Sequence, residues 1–277
     1  MHNILLNNGL EIPAFGLGTF PMKRFELFWA VYYALKSGYT SFDTASAYSN
    51  EAWLGFSLKF WRLFGLGKSV FLTTKLSNIE QRTMEVEDAL IGSMQRLGIK
   101  VLDLYLMHWP NPNTFVESWK KMEKLYSKGL VKAIGVCNFH QHHLETLLKS
   151  ANVIPVINQI ELHPLLSQEM LRTFCTEKGI AVEAYSPVAR MNPRLIENKI
   201  LVKIAQKYRK TVPQIIFRWD IQHGLITIPK SSSQTRIKEN IDIFDFELSQ
   251  PEMCEIDSLN EDFRVRYNPD TADLTKL

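Results

Sequence analysis

Four polar side chains stand at or just beyond the ends of short apolar runs, and their types are suited to acid–base chemistry. Asp43 and Lys75 each end such a run, His108 ends a third, and Tyr48 follows soon after Asp43. Taken singly, each has an ordinary structural explanation as a packed tyrosine, a solvated lysine, a satisfied core histidine or a paired aspartate. Active sites of α/β barrels, however, gather at the carboxyl ends of strands. We therefore expect the four side chains to lie together.

The chemistry of this set would be proton donation to a carbonyl group. A lysine ammonium beside a tyrosine stabilises tyrosinate, so we expect Lys75 to lower the pKa of Tyr48 below its free value of about 10. A buried lysine needs a partner, and Asp43 would supply it. His108 would donate a hydrogen bond where negative charge develops on the carbonyl oxygen. Such a site holds no nucleophile and no metal, and it suits hydride addition to a carbonyl once a hydride source is bound.

Eight short apolar runs have the composition of buried parallel strands, and they must position these side chains. Amphipathic segments separate them, which predicts an α/β fold, a (β/α)8 TIM barrel. A doubly wound open sheet stays an alternative, because periodicity alone does not distinguish the two. The predicted strands are Ala14–Gly18, Thr40–Asp43, Val70–Thr74, Leu102–Met107, Ala133–Val136, Val156–Ile160, Ala181–Tyr185 and Ile226–Ile228.

Apolar residues at spacings of three and four predict the intervening helices. Ahead of the first strand, Asn7-Asn8-Gly9 lies between two β-rich runs, which predicts a short N-terminal hairpin that closes the barrel bottom. The predicted helices are Phe25–Ser37, Thr83–Leu97, Thr114–Ser127, Met170–Cys175 and Asn198–Lys207, and the predicted hairpin strands are Asn3–Leu6 and Leu10–Ile12.

Length and composition predict a single barrel domain over residues 1–277, in a soluble cytoplasmic protein. The formal net charge is only +3, so we expect neither nucleic acid nor a membrane surface as a partner. The three cysteines are widely spaced and odd in number, which suits a reducing compartment. We find no basic-then-apolar leader and no apolar run of the roughly 18 residues that a membrane helix needs.

Seven stretches, in chain order and covering nearly the whole sequence, resemble the aldo-keto reductase family. The resemblance is specific because the matching stretches include all four polar residues above; it implies the barrel and makes Asp43, Tyr48, Lys75 and His108 the catalytic tetrad, with Tyr48 the general acid. Within that family, the sequence resembles microbial 2,5-diketo-gluconate reductases and prostaglandin F synthase-like members. The stretches are Phe42–Glu51, Thr74-Lys75, His108-Trp109-Pro110, Ile134–Phe139, Asn158–Pro164, Tyr185-Ser186-Pro187 and Ile228–Asn240.

Neither common nucleotide fingerprint is present. Gly16-Leu17-Gly18 lacks the third glycine of a dinucleotide-binding turn, and the P-loop-like Gly67-Lys68-Ser69 has Arg62 where the first glycine belongs. The resemblance instead implies NADPH. Asn138 and Gln159 match residues that bind the nicotinamide carboxamide, and Tyr185 matches the aromatic residue that stacks on the nicotinamide ring. The remaining matches are Lys230, Ser231, Ser232 and Arg236 around the 2′-phosphate, Glu239 and Asn240 at the adenine, and Thr19, Asp43, Ser186 and Val188 elsewhere along the cofactor.

Two positions depart from the family pattern. Cys137 stands where many relatives have a serine that binds the carboxamide, and a thiol is the weaker donor. Ala189 stands where a glycine is common after the Ser-Pro pair. We expect the first change to shift nicotinamide anchoring towards Asn138 and Gln159, and the second to alter the loop beside the pyrophosphate.

The substrate pocket is predicted from Phe20 and Trp109, which would form an apolar wall next to Tyr48 and His108. The segment after His108 is brief where larger relatives have long loops, which indicates an open pocket with broad specificity. The resemblance to microbial reductases implies 2-oxoaldehydes, diketo sugar acids or small aldehydes as substrates.

Three further expectations concern other chemistry and assembly. We predict that His140, His142 and His143 begin a solvated helix and bind no metal, because no carboxylate or cysteine stands at ligand spacing. The resemblance implies a monomer. Two alternative functions remain open, a nicotinamide-binding regulatory module and a glycosidase that uses Glu161 and Glu183.

Overall fold

The computed structural model describes residues 2–275, in which eight parallel strands form one sheet. Each strand is hydrogen-bonded to the strand before it in the chain, so the sheet has no point where the strand order reverses. The hairpin strands are β1 (Asn3–Leu5) and β2 (Glu11–Pro13). The sheet strands are β3 (Leu17–Gly18), β4 (Ser41–Asp43), β5 (Phe71–Leu76), β6 (Leu104–Met107), β7 (Ile134–Cys137), β8 (Ile157–Glu161), β9 (Ala181–Tyr185) and β10 (Ile226–Thr227).

The last strand meets the residues that lead into the first, and this contact closes the sheet. Phe15 forms a parallel bridge with Thr227. The Gly16 amide donates to the Thr227 carbonyl at 3.0 Å, and the Thr227 amide donates to the Ala14 carbonyl at 2.9 Å. The prediction of a closed (β/α)8 barrel is confirmed, and the open sheet is not the fold.

The helices surround this barrel and bury apolar residues against it. They are α1 (Arg24–Lys36), α2 (Glu51–Arg62), α3 (Asn78–Thr83), α4 (Val86–Leu97), α5 (Phe115–Ser127), α6 (Gln141–Leu148), α7 (Glu169–Glu177), α8 (Pro193–Ile196), α9 (Lys199–Tyr208), α10 (Val212–Gln222), α11 (Gln234–Ile241) and α12 (Gln250–Asp257). Within residues 2–275, no helix is long and apolar enough to cross a membrane.

One predicted helix was wrong at its beginning. The segment Thr83–Leu97 is divided, because Met84 and Glu85 have extended backbone and separate α3 from α4. Ser77 and Glu80 form a capping box that begins α3 well before the predicted start. The apolar spacing continues through the break, so periodicity could not reveal it.

The N-terminal hairpin covers the end of the barrel at which the strands begin. The Asn7 and Asn8 side chains donate to the carbonyls of Pro155 and Lys132, just ahead of β8 and β7. Ile12 of β2 is fully buried in the cluster of apolar residues that fills the barrel interior. This agrees with the predicted closing of the barrel bottom, so the opposite end is left for a functional site.

Candidate active site

Asp43, Tyr48 and Lys75 meet at the carboxyl ends of β4 and β5. The Lys75 ammonium lies 2.5 Å from Asp43 Oδ1, 2.9 Å from the Thr44 carbonyl and 3.4 Å from the Tyr48 hydroxyl. Tyr48 ends a single 3₁₀ turn, Ser46–Tyr48, which turns its hydroxyl back over β5. Three residues that are far apart in sequence thus form one hydrogen-bonded group.

The charges within this group are set by burial and by close partners. Burial is the largest effect and lowers the pKa of Lys75, but Asp43, Tyr48 and Cys137 together outweigh it, with Asp43 contributing most, and hold that pKa above its ordinary value. Lys75 is therefore a fully buried ammonium in an ion pair. Asp43 plays the part expected of it, which is to keep that charge in place.

The expected lowering of the Tyr48 pKa was wrong. Burial of the hydroxyl raises the pKa of Tyr48 to about 12, and the opposing effect of the Lys75 charge is smaller. Asp43, whose negative charge also acts on the hydroxyl, raises the value further. Tyr48 is thus a protonated donor at neutral pH, and the lysine limits the rise without reversing it.

His108 follows β6 directly, and its ring centroid lies 5.7 Å from that of Tyr48. Burial lowers the pKa of His108 to about 3, and the positive charges of Lys75 and Arg266 act in the same direction. The imidazole is therefore neutral, with one N–H group to donate. A neutral donor beside a protonated tyrosine gives the site two hydrogen-bond donors for one oxygen atom.

A cavity of about 600 Å³ opens beside these residues at the carboxyl ends of the strands. Asp43 and Tyr48 line this cavity, whereas Lys75 does not line it and contacts both of them from outside it. The predicted residues that line the cavity are Thr19, Phe20, Asp43, Tyr48, His108, Trp109, Asn138, Gln159, Tyr185, Ser186, Val188 and Lys230. Five other predicted residues lie beyond the lining, on the segment after Lys230 and on α11; these are Ser231, Ser232, Arg236, Glu239 and Asn240.

Amide and hydroxyl groups form a connected network on the cavity wall. Gln159 Nε2 donates to Asp43 Oδ2 at 2.9 Å and to Glu183 at 2.7 Å, while the Tyr185 hydroxyl donates to Asn138 Oδ1 at 2.7 Å. Cys137 is buried between the two amides, and its thiol lies 3.5 Å from Gln159 Oε1. The amide groups of Asn138 and Gln159 are thus held in fixed orientations.

Comparisons with known proteins agree with this geometry. A family model described as the aldo/keto reductase family matches residues 14–261. The chain belongs to the aldo/keto reductase family. The glyoxal reductase of Bacillus subtilis (strain 168) is 47% identical over 269 residues, and the methylglyoxal reductase DkgA of Escherichia coli (strain K12) is 42% identical over 269 residues. The match covers 96% of this chain and 96% of each relative.

A solved structure extends the likeness to the whole barrel. A mutant of Gox0644 in complex with NADPH superimposes with a TM-score of 0.92 at 38% identity, over 98% of each chain. The family makes this chain an oxidoreductase that acts on carbonyl groups, which confirms the resemblance found in the sequence. It also rules against a glycosidase, and the two carboxylates of that alternative, Glu161 and Glu183, are not among the residues that line the cavity.

In this aldo-keto reductase, Glu161 anchors the C-terminal segment, a role that its sequence position did not indicate. Its buried carboxylate accepts the backbone amides of Val265 and Arg266 at 2.6 and 2.9 Å. Arg266 is thereby placed in the cavity wall, with its guanidinium 5.7 Å from the centre of the Phe20 ring. Arg266 was not among the predicted site residues, because no strand end or motif marks it.

The loop after β9 has an unusual backbone in this member of the family. Ser186, Ala189, Arg190 and Met191 all have positive φ, at 51°, 45°, 57° and 62°. Only glycine adopts such angles without strain. Ala189 therefore has a strained backbone directly beside the cavity-lining residues Val188 and Arg190, at the position where the sequence comparison expected glycine.

The segment after Lys230 carries an acidic neighbour that was not anticipated. Glu26 of α1 lies 3.2 Å from the Lys230 ammonium and also accepts a hydrogen bond from Ser232. Partial burial is the largest effect and raises the pKa of Glu26, but the two hydrogen bonds, the Lys230 charge and a backbone hydrogen bond at Lys23 together hold the value below the ordinary one. An ionised carboxylate therefore occupies part of the predicted 2′-phosphate site.

The expectation that the three histidines lack a carboxylate neighbour was wrong. Asp270 lies 2.8 Å from His140 Nδ1 and 3.2 Å from His142 Nε2, and its Oδ1 lies 3.7 Å from His143 Nε2. The sequence separation of 130 residues between Asp270 and His140 hid the contact. His140 does begin α6 as its N-cap, as expected of a helix start, and its backbone amide donates to His143 Nδ1.

Proposed function

We propose that this chain reduces aldehydes and ketones to alcohols with NADPH, with Tyr48 as the general acid. The observation that carries the proposal is the contact between the Tyr48 hydroxyl and the fully buried Lys75–Asp43 ion pair at the cavity floor. A protonated phenol is a proton donor only if its conjugate base is stabilised, and the ammonium at 3.4 Å provides that stabilisation. The family assignment agrees with this chemistry.

Each of the four polar residues has its own role in this reaction. When bound, NADPH supplies a hydride. The Tyr48 hydroxyl and the neutral His108 imidazole both donate to the carbonyl oxygen, and the oxygen takes the Tyr48 proton as its charge develops. Lys75 then holds the resulting tyrosinate. Asp43 keeps Lys75 charged and oriented.

The chain's own groups fit NADPH along the cavity. The amides of Asn138 and Gln159 and the Tyr185 ring stand beside the Tyr48 group, where a nicotinamide would have to lie for transfer to the same carbonyl. Lys230 lies at the far edge of the cavity and is followed by Ser231, Ser232 and the exposed Arg236. Two cations and two hydroxyl groups next to a helix start suit a phosphate group. These contacts support NADPH over NADH.

We propose small 2-oxoaldehydes as the substrates. Phe20 packs on Tyr48, with ring centroids 5.0 Å apart, and the buried Trp109 closes the other side of the cavity. These rings form an apolar wall around a pair of donors, a pocket of the size and polarity that a short dicarbonyl needs. The names of the Bacillus and Escherichia relatives, which concern glyoxal and methylglyoxal, support the same class.

The test is NADPH oxidation with methylglyoxal, followed by absorbance in the wild type and in Tyr48→Phe. We expect turnover in the wild type and a loss of at least a hundredfold in Tyr48→Phe, with NADPH affinity unchanged, because general-acid catalysis contributes about 10²–10⁴-fold. Lys75→Met should cause a similar loss. NADPH binding without turnover of any aldehyde in the wild type would instead support the regulatory module.

A further inference from the structure

Helices α1 and α2, together with the two residues that follow α2, expose an unusual number of large apolar side chains. The exposed fractions are 69% for Phe25, 46% for Trp29, 53% for Phe56, 79% for Leu63 and 66% for Phe64. We call these five residues the aromatic face. Scattered exposed apolar residues are ordinary, whereas a contiguous group indicates an interaction site.

The four aromatic members of this face, Phe25, Trp29, Phe56 and Phe64, are joined by contacts with the rings that lie between them. Phe25 contacts Trp53 with ring centroids 5.5 Å apart, and Trp29 contacts Trp61 at 5.7 Å. Trp61 in turn contacts Phe64 at 6.0 Å. Phe56 reaches the same group through Phe28 and Phe60. Five side chains of this size, about half or more exposed, present on the order of 500 Å² of apolar surface, at the upper end of what monomers expose.

Exposed basic residues lie on and next to the same two helices, whereas the acidic residues of these helices already have partners. Glu26 is paired with Lys230, and the buried Glu51 is paired with Arg96. The net charge of +3 for the whole chain averages over this local excess. The exposed cations within and beside α1 and α2 are Lys23, Arg24, Lys36, Lys59, Arg62 and Lys68.

The charge pattern distinguishes two binding partners for the aromatic face, a second copy of this chain and a lipid bilayer. In a symmetric dimer through the aromatic face, each copy would bring the same cations against the other, and like charges would oppose the contact. The surface of an anionic phospholipid bilayer offers phosphate groups for the cations and an apolar layer for the rings. We infer that the aromatic face binds the surface of an anionic phospholipid bilayer. Whole-chain charge, on which the expectation of no membrane partner rested, does not reveal this local arrangement.

This inference is independent of the proposed function and is tested by co-sedimentation of the full chain with vesicles. We expect binding at low salt to vesicles that contain phosphatidylglycerol, and weak or no binding to pure phosphatidylcholine. The variant Lys59→Glu/Arg62→Glu should reduce the partition coefficient at least twentyfold, because each basic residue near an anionic surface is worth roughly fivefold. The matched control is Lys199→Glu/Lys203→Glu on α9, where both lysines are exposed, and it should lose far less.

The apolar contribution needs its own variant. Trp29→Ser/Phe64→Ser should also weaken vesicle binding at least tenfold, whereas Met170→Ser, which alters a side chain that is 82% exposed on α7, should not. Retained reductase turnover and an unchanged circular dichroism spectrum would show that each variant is folded, since none of these residues lines the cavity. Failure of the wild type to bind anionic vesicles at low salt would overturn the inference. So would a dimer, seen by analytical ultracentrifugation, that Phe64→Ser dissociates.

Discussion

The carboxylate of Glu26 beside Lys230 leads to a prediction about cofactor affinity. If Lys230, Ser231, Ser232 and Arg236 bind the 2′-phosphate, then the phosphate must take over contacts that Glu26 now holds. Replacing Glu26 with glutamine removes the negative charge and keeps the shape of the side chain. We therefore expect Glu26→Gln to bind NADPH more tightly than the wild type does.

The magnitude follows from the exposure of the pair. The Glu26 side chain is 46% exposed and that of Lys230 is 35% exposed, so water screens their charges. Two unit charges about 4 Å apart interact by about 1 kcal/mol in water, and measured exposed pairs contribute roughly 0.2–1 kcal/mol. We expect a gain of roughly 0.5–1 kcal/mol, which is about a two- to fivefold lower dissociation constant. The gain should shrink as salt is added.

The assay is a fluorescence titration of NADPH and of NADH against the wild type, Glu26→Gln and a control variant. Glu177→Gln changes an exposed carboxylate on α7 and should leave both affinities unchanged. NADH has no 2′-phosphate, so Glu26→Gln should not tighten its binding. An equal gain for NADH, or no gain for NADPH, would refute the argument that Glu26 opposes a phosphate at this site.

Two other predictions concern the cavity, and a third concerns Glu183, which accepts a hydrogen bond from Gln159 of the cavity wall. The pKa of His108 is lowered to about 3 and that of Tyr48 is raised to about 12, so kcat/KM for reduction should not change between pH 5 and 9. A change in kcat/KM around pH 6.5 that disappears in His108→Gln would contradict this. Arg266→Met should raise KM roughly two- to fivefold for 4-carboxybenzaldehyde and leave KM for 4-nitrobenzaldehyde nearly unchanged, as steady-state kinetics would show, because the cavity loses a positive charge. Burial and the nearby Asp43 raise the pKa of Glu183 above its ordinary 4.5, so the folded state keeps a proton that the unfolded state loses. The free energy of unfolding should therefore fall as pH rises above 4.5, and thermal melts should show a weaker fall in Glu183→Gln.

The barrel could be predicted because each of its strands is a short, apolar and nearly continuous run. Ala181–Tyr185 matches β9 at both ends, and the other seven predicted strands overlap their observed counterparts. The break between α3 and α4 could not be predicted, because Met84 has extended backbone and yet does not interrupt the apolar spacing. The local sequence pattern thus identified the strands, but it did not reveal a helix boundary that is set by a capping box.

Much of the candidate site could be predicted for a different reason. Polar residues at strand ends converge in any parallel barrel, so Asp43, Lys75 and His108 were found without knowledge of their contacts. Arg266 and Asp270 were missed because they lie on the C-terminal segment, whose path depends on the buried carboxylate of Glu161 and on the histidines of α6. Contacts between elements far apart in sequence leave no periodic signal.

The wrong sign of the Tyr48 pKa shift changes how the contribution of Lys75 should be understood. The sequence shows which groups are neighbours but not how deeply they are buried, and here burial is the larger effect. A tyrosine that is protonated at neutral pH gains little from a neighbouring ammonium before proton transfer. Once the proton has moved to the carbonyl oxygen, the tyrosinate lies 3.4 Å from that fully buried ammonium. Under the proposed mechanism, Lys75 therefore stabilises the transition state more than the ground state, which is the condition for raising kcat. The buried Asp43–Lys75 pair is fixed in place before the substrate binds, so this stabilisation requires no reorganisation during the reaction.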